Sequence, residues 1–217
     1  MSIRVLLADD HQMLRDTLRS MLESDGHLEV VGEAADGRAA VKMARTLAPD
    51  IVVMDITMPD LNGVEATHQI KAENPAVKVI ALSRHSDRRY VLRMLEAGAS
   101  GYVLKAAAYD ELRRAIQVVS QGKSYLSPDI TGIVVDAHVR PASEPDASSD
   151  AALGPREREI VQLLAEGYTS PEIGQRLHIS ARTVETHRRN IMKKLGPHSV
   201  AELTKYAIRE GLTPLDR

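Results

Sequence analysis

The 217-residue chain contains no cysteine. That removes disulfide frameworks, thiolate metal sites and a cysteine nucleophile from consideration. Phenylalanine and tryptophan are also missing, which leaves little aromatic surface to stack on single-stranded bases. No apolar run approaches the roughly 18 residues that a bilayer-spanning helix needs. Met1-Ser2-Ile3-Arg4 leads straight into an apolar stretch without the pattern of a signal peptide, so no membrane association and a cytoplasmic location are expected. No glycine-rich phosphate cradle of the P-loop type is present, which argues against a nucleotide as phosphate donor. Charge of one sign is not in excess either, the formal net charge being −2. That balance hides a division: residues 1–137 hold 16 Lys and Arg against 19 Asp and Glu, whereas residues 154–217 hold 11 against 8. An acidic front and a mildly basic tail hint at two jobs.

What is present begins with alternation. Apolar strand patterns at 3–8, 28–32, 51–54, 77–83 and 101–105 are each followed by a stretch of helical periodicity, the helices ending at Gly26, Leu47, Asn74-Pro75, Gly98 and Gly122. Five such units in about 122 residues imply an α/β domain with a doubly wound, five-stranded parallel sheet, because parallel neighbours need crossover helices. Ile51-Val52-Val53-Met54 is the most continuous apolar strand and ends on Asp55. In open α/β sheets ligands bind at the carboxyl ends of the strands. Those ends carry Asp9-Asp10, Asp55, Ser83 and Lys105, so three carboxylates, a hydroxyl and an ammonium converge on one edge.

That set has a readable chemistry. Three neighbouring carboxylates repel one another and invite a cation. Mg²⁺ takes one or two carboxylates together with phosphate oxygens. A carboxylate can attack phosphorus and form an aspartyl phosphate, whose charge Lys105 and Ser83 are placed to meet. A Mg²⁺-dependent phosphohydrolase shares these parts. Such an enzyme needs a second carboxylate near the nucleophile, commonly two residues on, where this chain has Thr57. The chain is therefore expected not to be an enzyme.

Asp9-Asp10, Asp55 with Met58-Pro59 and Gly63, Ser83 and Lys105 together resemble the receiver domain of two-component response regulators, over residues 1–123. The resemblance implies a flavodoxin-like fold with Asp55 as phosphoacceptor. It implies Mg²⁺ held by Asp9, Asp10, Asp55 and the main-chain carbonyl of Thr57. Ser83 and Lys105 would contact the phosphoryl group. Tyr102 falls on the switch position, where an aromatic ring turns inward as Ser83 moves toward the phosphate. Arg84 departs from the pattern, since the residue after the switch serine is commonly small there. A long cation at that point would screen the phosphoryl from water, hydrogen-bond to it, or lie along the surface. His11 and His85 flank the site and are read as loop residues rather than metal ligands.

Residues 124–152 read as a linker with a short helix over its apolar stretch 130–135; the Pro- and Ser-rich run 138–150 buries too little to fold. In 153–217, four short helices are expected, with starts at Pro155, Ser170-Pro171, Ser180 and Ser199-x-x-Glu202 and stops at Gly167, Gly196 and Gly211. The second and third, joined tightly at His178-Ile179, describe a helix-turn-helix within a small all-α domain. The outer face of the third carries Arg182, Glu185, Thr186, Arg188, Arg189 and Lys193, and such a helix enters the major groove of double-stranded DNA. Thr169 and Ser170 could donate to phosphate.

The run from Pro155-Arg156-Glu157 through Gly167-Tyr168-Thr169, Ser180-x-x-Thr183-Val184 and His187 to Lys194-Leu195 is similar to the LuxR-type DNA-binding domain, with Thr183 in its DNA-facing set. Together the halves resemble a NarL/FixJ-type response regulator. That resemblance implies a sensor histidine kinase as phosphodonor, a homodimer when phosphorylated, and transcription regulation, with RNA polymerase as a further conceivable partner. Arg189 and Thr186 are the expected base contacts, and Lys193 and Arg188 the expected phosphate contacts. Three residues depart from the pattern. Gly154 replaces a Thr or Ser cap, and Gly174 replaces an Ala at a cost of about 1 kcal/mol in helix propensity. Glu185 replaces a Lys, and its carboxylate would repel phosphate or accept from cytosine N4.

Overall fold

The computed structural model describes residues 2–24, 26–84, 86–106, 109–139, 153–196 and 199–213. His85 and the expected tether from residue 140 to 150 lie outside them. The chain divides into two compact units, Met1–Pro141 and Ala142–Arg217.

In the first unit β1 (Ile3–Ala8), β2 (Leu28–Ala34), β3 (Ile51–Met54), β4 (Lys78–Ser83), β5 (Gly101–Leu104) and β6 (Tyr125–Leu126) form one parallel sheet in the order β2-β1-β3-β4-β5-β6. The connecting helices are α1 (Gln12–Glu23), α2 (Gly37–Leu47), α3 (Gly63–Glu73), α4 (Arg88–Glu96) and α5 (Tyr109–Ser120). The two-residue side-chain period of the strands divides the core cleanly. Leu6, Ala8, Val52, Met54 and Val79 pack with Ala40 and Ala44 of α2, Ala66 and Ile70 of α3, and Val91 and Met94 of α4. Val5, Leu7, Ile51, Val53 and Ile80 pack on the opposite face with Leu18 and Leu22 of α1 and Leu112, Ile116 and Val119 of α5. β3 is buried on both faces, as an uninterrupted apolar run requires.

The sheet has six strands where five were expected. Tyr125 N–H donates to the Ser100 carbonyl at 3.1 Å and Ser127 N–H to that of Tyr102 at 3.0 Å, so β6 extends the edge beyond β5. Two residues are too few to show strand periodicity, and the flanking Ser and Pro read as punctuation. The short helix expected in this segment is present as α6 (Pro128–Val139). Its Ile130 is fully buried, and Ile133 and Val134 pack on the sheet core. Residues 125–139 are thus folded onto the first unit.

Gly63 shows how the sheet edge is closed. Its N–H donates to the Ile56 carbonyl at 2.8 Å, and a Cβ built there would lie 1.9 Å from the Asp55 carbonyl oxygen. Only a residue without a side chain allows the loop after β3 to fold this tightly under α3. Gly63→Ala is expected to destabilise the protein by about 1–3 kcal/mol, the range for forced overpacking. Urea denaturation measures this, and an unchanged midpoint would contradict the packing.

The second unit contains α7 (Pro155–Ala165), α8 (Ser170–Leu177), α9 (Ala181–Leu195) and α10 (Val200–Arg209). Ile160, Leu163, Ile173, Leu177, Val184, Ile191, Leu203 and Ala207 form one core. Ser180 caps α9 by accepting from Thr183 N–H at 3.0 Å, and Ser199 caps α10 by accepting from Glu202 N–H at 3.2 Å.

Candidate functional site

The carboxyl edge of the first sheet gathers residues far apart in the chain. Asp9 follows β1, Asp55 follows β3, β4 ends at Ser83, and Lys105 follows β5. The Lys105 ammonium lies 2.7 Å from Asp55 Oδ2 and 2.6 Å from Asp9 Oδ2, between two carboxylates that would otherwise repel. Asp55 Oδ1 accepts from Ile56 N–H at 2.7 Å, and Asp9 Oδ1 accepts from His11 N–H at 2.9 Å. The Lys105 N–H in turn donates to the Ser83 carbonyl at 2.7 Å, which keeps the ends of β4 and β5 level. Asp9, Asp55 and Ser83 are buried, as is Thr57.

Asp9, Asp10, His11 and Asp55 place one potential ligand atom each within 4.8 Å of one another. His11 belongs to this cluster more closely than its loop position indicated, because its Nδ1 lies 2.8 Å from Asp10 Oδ1. Three carboxylates form a hard, oxygen-rich donor set, which suits Mg²⁺.

Burial raises the Asp55 pKa from 3.8 to about 6; Lys105 opposes the shift and Asp9 adds to it. A folded carboxyl with a raised pKa holds its proton more tightly than the unfolded chain does. Its contribution to stability is therefore greatest below 3.8 and is lost as pH climbs through about 6. The full difference is about 3 kcal/mol at 1.36 kcal/mol per unit. Carbonyl-carbon NMR of the Mg²⁺-free protein should show Asp55 titrating near 6, with Mg²⁺ pulling the midpoint down. A midpoint near 4 without metal would contradict this.

The Tyr102 ring is fully buried, in the same core cluster as Val91, Met94 and Ile130. Burial pushes its hydroxyl up to about 12, with a side-chain hydrogen bond to Ser83 working the other way. The ring is therefore inside already, and the Ser83 side chain is engaged with it. Arg84, next in the chain, is exposed.

In the second unit α8 ends at His178, which adopts the left-handed conformation (φ 53°). The turn then brings the Ile179 carbonyl so close that a Cβ on Gly174 would stand 2.7 Å from it. Gly174 thus gives room for the helix-turn-helix corner and is more than a weakened helix position. Arg156, which spacing alone did not single out, clamps that corner: its guanidinium donates to the Leu177 carbonyl at 2.6 Å and to Glu159 at 2.8 Å. Lys194 ties α9 to α7 through Glu157 at 2.7 Å.

Arg182, Glu185, Thr186, Arg189 and Lys193 are exposed on α9, with Arg188 half-buried. Arg182, Arg189 and Lys193 engage no ion pair among the described residues. The polar side chains around them are committed. Thr186 donates to the Arg182 carbonyl at 3.0 Å, and the Thr183 and Ser180 hydroxyls share a 2.8 Å bond. Thr169 donates to Glu172 at 2.6 Å. Ser170 donates to Glu185, which also lies 3.8 Å from Arg188. The Glu185 carboxylate is thus held by its own domain.

Two family models match the chain: the response regulator receiver domain over residues 5–117 and the bacterial regulatory proteins of the LuxR family over 151–207. The transcriptional regulatory protein MctR of Rhizobium johnstonii is 38% identical over 97% of this chain and 95% of its own length. The response regulator UvrY of Escherichia coli K12 is 39% identical over the same shares. Among solved structures, RcsB of Salmonella enterica serovar Typhimurium, bound to promoter rprA in the presence of the phosphomimetic BeF₃⁻, aligns with a TM-score of 0.61 at 25% identity. That alignment covers 95% of this chain and 98% of RcsB. A buried acidic cluster with its lysine, a helix-turn-helix with three uncommitted cations, and relatives matching nearly end to end lead to one assignment: the chain belongs to the DNA-binding response regulators of two-component systems, with a receiver domain followed by a LuxR-type helix-turn-helix domain.

Proposed function

We propose that Asp55 accepts a phosphoryl group from a sensor histidine kinase, and that the phosphorylated chain pairs as a homodimer on double-stranded DNA to regulate transcription. The observation that carries this reading is the Lys105 ammonium held at 2.6–2.7 Å from both Asp9 and Asp55 at the sheet edge. In the transfer an Asp55 oxygen bonds to phosphorus as the P–N bond of the donor phosphohistidine breaks. The imidazole keeps the electron pair and takes up a proton. Asp9, Asp10, Asp55 and the Thr57 carbonyl would hold Mg²⁺, which when bound neutralises charge on the transferring phosphoryl. Lys105 is free to trade a carboxylate for a phosphoryl oxygen without leaving the pocket. Because the Tyr102 ring is inside from the start, the movement left to phosphorylation is that of Ser83, whose hydroxyl turns from Tyr102 toward the phosphoryl.

On the DNA side, Arg189 and Thr186 are assigned to base edges and Lys193 and Arg188 to phosphates, with Arg182, Thr183, Thr169 and Ser170 at the margin. Glu185, held by Ser170, acts by excluding phosphate and orienting Arg188. The site of action is the cytoplasm, and no helix of the described residues is long and apolar enough to cross a membrane. RNA polymerase is the partner through which a DNA-bound dimer would act on transcription. Light scattering after addition of acetyl phosphate and Mg²⁺ tests the dimer step: the mass should double in wild type and stay constant in Asp55→Asn. A mass that ignores the phosphodonor would overturn it.

A further inference from the structure

A cleft of about 340 Å³ is lined by His11, Met13, Leu14, Thr17, Arg84 and Lys105, the last of which reaches Asp55 at 2.7 Å. Its lining includes Met13, which is 83% exposed. It also includes two cations in different circumstances. Lys105 is committed to Asp9 and Asp55. Arg84 is exposed at the cleft and makes no hydrogen bond or ion pair among the described residues.

From this placement we infer that Arg84 is a second phosphoryl-binding cation, which holds the aspartyl phosphate from its solvent side and slows its hydrolysis. The inference rests on the phosphoacceptor reading of Asp55. A phosphoryl on Asp55 brings negative charge and three acceptor oxygens to the mouth of the cleft. Lys105 meets that charge from the protein side only. A guanidinium presents a planar fork of donors that matches two phosphate oxygens at once, and among the described residues Arg84 has no other partner to leave. Hydrolysis requires a water oxygen to bond to phosphorus opposite the Asp55 oxygen while the P–O bond to Asp55 breaks. The electron pair returns to the carboxylate, and both water protons end on the dihydrogen phosphate released. The attacking water arrives through the cleft that Arg84 lines. A guanidinium bound there takes the water's place and fixes the oxygens that must flatten as the bond breaks.

The test follows the decay of protein labelled with acetyl phosphate and Mg²⁺ after the donor is removed. Arg84→Ala should lose its label roughly three- to tenfold faster than wild type, the scale of one partly exposed charge-assisted hydrogen bond. Arg84→Lys, which keeps the charge and loses the fork, should fall between them. Fluorine NMR of beryllofluoride binding adds a readout without turnover: the dissociation constant should rise by a similar factor in Arg84→Ala, and the difference should shrink at high salt. Equal decay in all three proteins, slower decay in Arg84→Ala, or an unchanged beryllofluoride affinity would overturn the inference while leaving the phosphoacceptor reading intact. A wild type that takes up no label would instead remove that reading, and this inference with it.

Discussion

Replacing Lys105 by methionine should cost about 3–5 kcal/mol of stability near pH 8, the range for breaking a buried ion pair by removing one partner. The ammonium is 9% exposed and stands between Asp9 and Asp55, whose side chains are 3% and 1% exposed. Methionine keeps the bulk and removes the charge, leaving two buried carboxylates in direct repulsion. The loss should depend on pH in a defined direction. Lys105 holds the Asp55 pKa down against burial, so its removal lets that value rise above about 6. A raised carboxyl pKa means stability lost with rising pH. The variant should therefore be weakest at alkaline pH and should recover toward wild type as pH falls below 6. Mg²⁺ should restore part of the loss at pH 8, because a cation among the carboxylates replaces the missing one. Chemical denaturation across pH, with and without Mg²⁺, measures all three. A deficit independent of pH would mean that Lys105 contributes packing alone.

The second large effect is expected on DNA. Arg189→Ala should weaken binding to a duplex selected by the wild-type protein about 10- to 100-fold and relax preference at one base pair, as loss of a bidentate base contact does. Lys193→Ala should weaken binding to all duplexes alike and flatten the salt dependence of log affinity by about one unit of slope, as loss of a phosphate contact does. Both side chains are exposed and lack ion-pair partners among the described residues, so neither substitution disturbs the core built on Val184 and Ile191. Fluorescence anisotropy over a salt series separates the two. If Arg189→Ala lowers every affinity equally with a changed slope, the two roles are reversed.

Much of this was legible in the chain because strand ends in a parallel sheet are registered by the fold itself. Asp9, Asp55, Ser83 and Lys105 each follow an apolar run long enough to read as a strand, and adjacent parallel strands bring their carboxyl ends to one edge. The features that escaped are those without a periodic signal. β6 has two residues. The Arg156 clamp on Leu177 joins positions 21 apart through a carbonyl that any residue could supply. Glu185 looked outward in sequence because nothing in its spacing reveals that Ser170, across the helix-turn-helix corner, holds it. Gly174 read as a helix defect, since propensity describes the helix it sits in and not the Ile179 carbonyl that approaches it. The buried Tyr102 ring could be placed on a strand from sequence, but its inward setting depends on a core cluster, shared with Val91, Met94 and Ile130, that forms only in the fold.

If Asp55 is the phosphoacceptor proposed above, its reversible charge should govern how the helix-turn-helix domain engages DNA. The direct measurement is the affinity of full-length protein for a duplex selected from a random pool, taken with Mg²⁺ before and after acetyl phosphate, beside the mass of the intact protein. Wild type should gain one phosphoryl and bind DNA more tightly, with neither change in Asp55→Asn. A wild type that gains the phosphoryl and binds DNA no differently, or an Asp55→Asn protein that responds as wild type does, would contradict it.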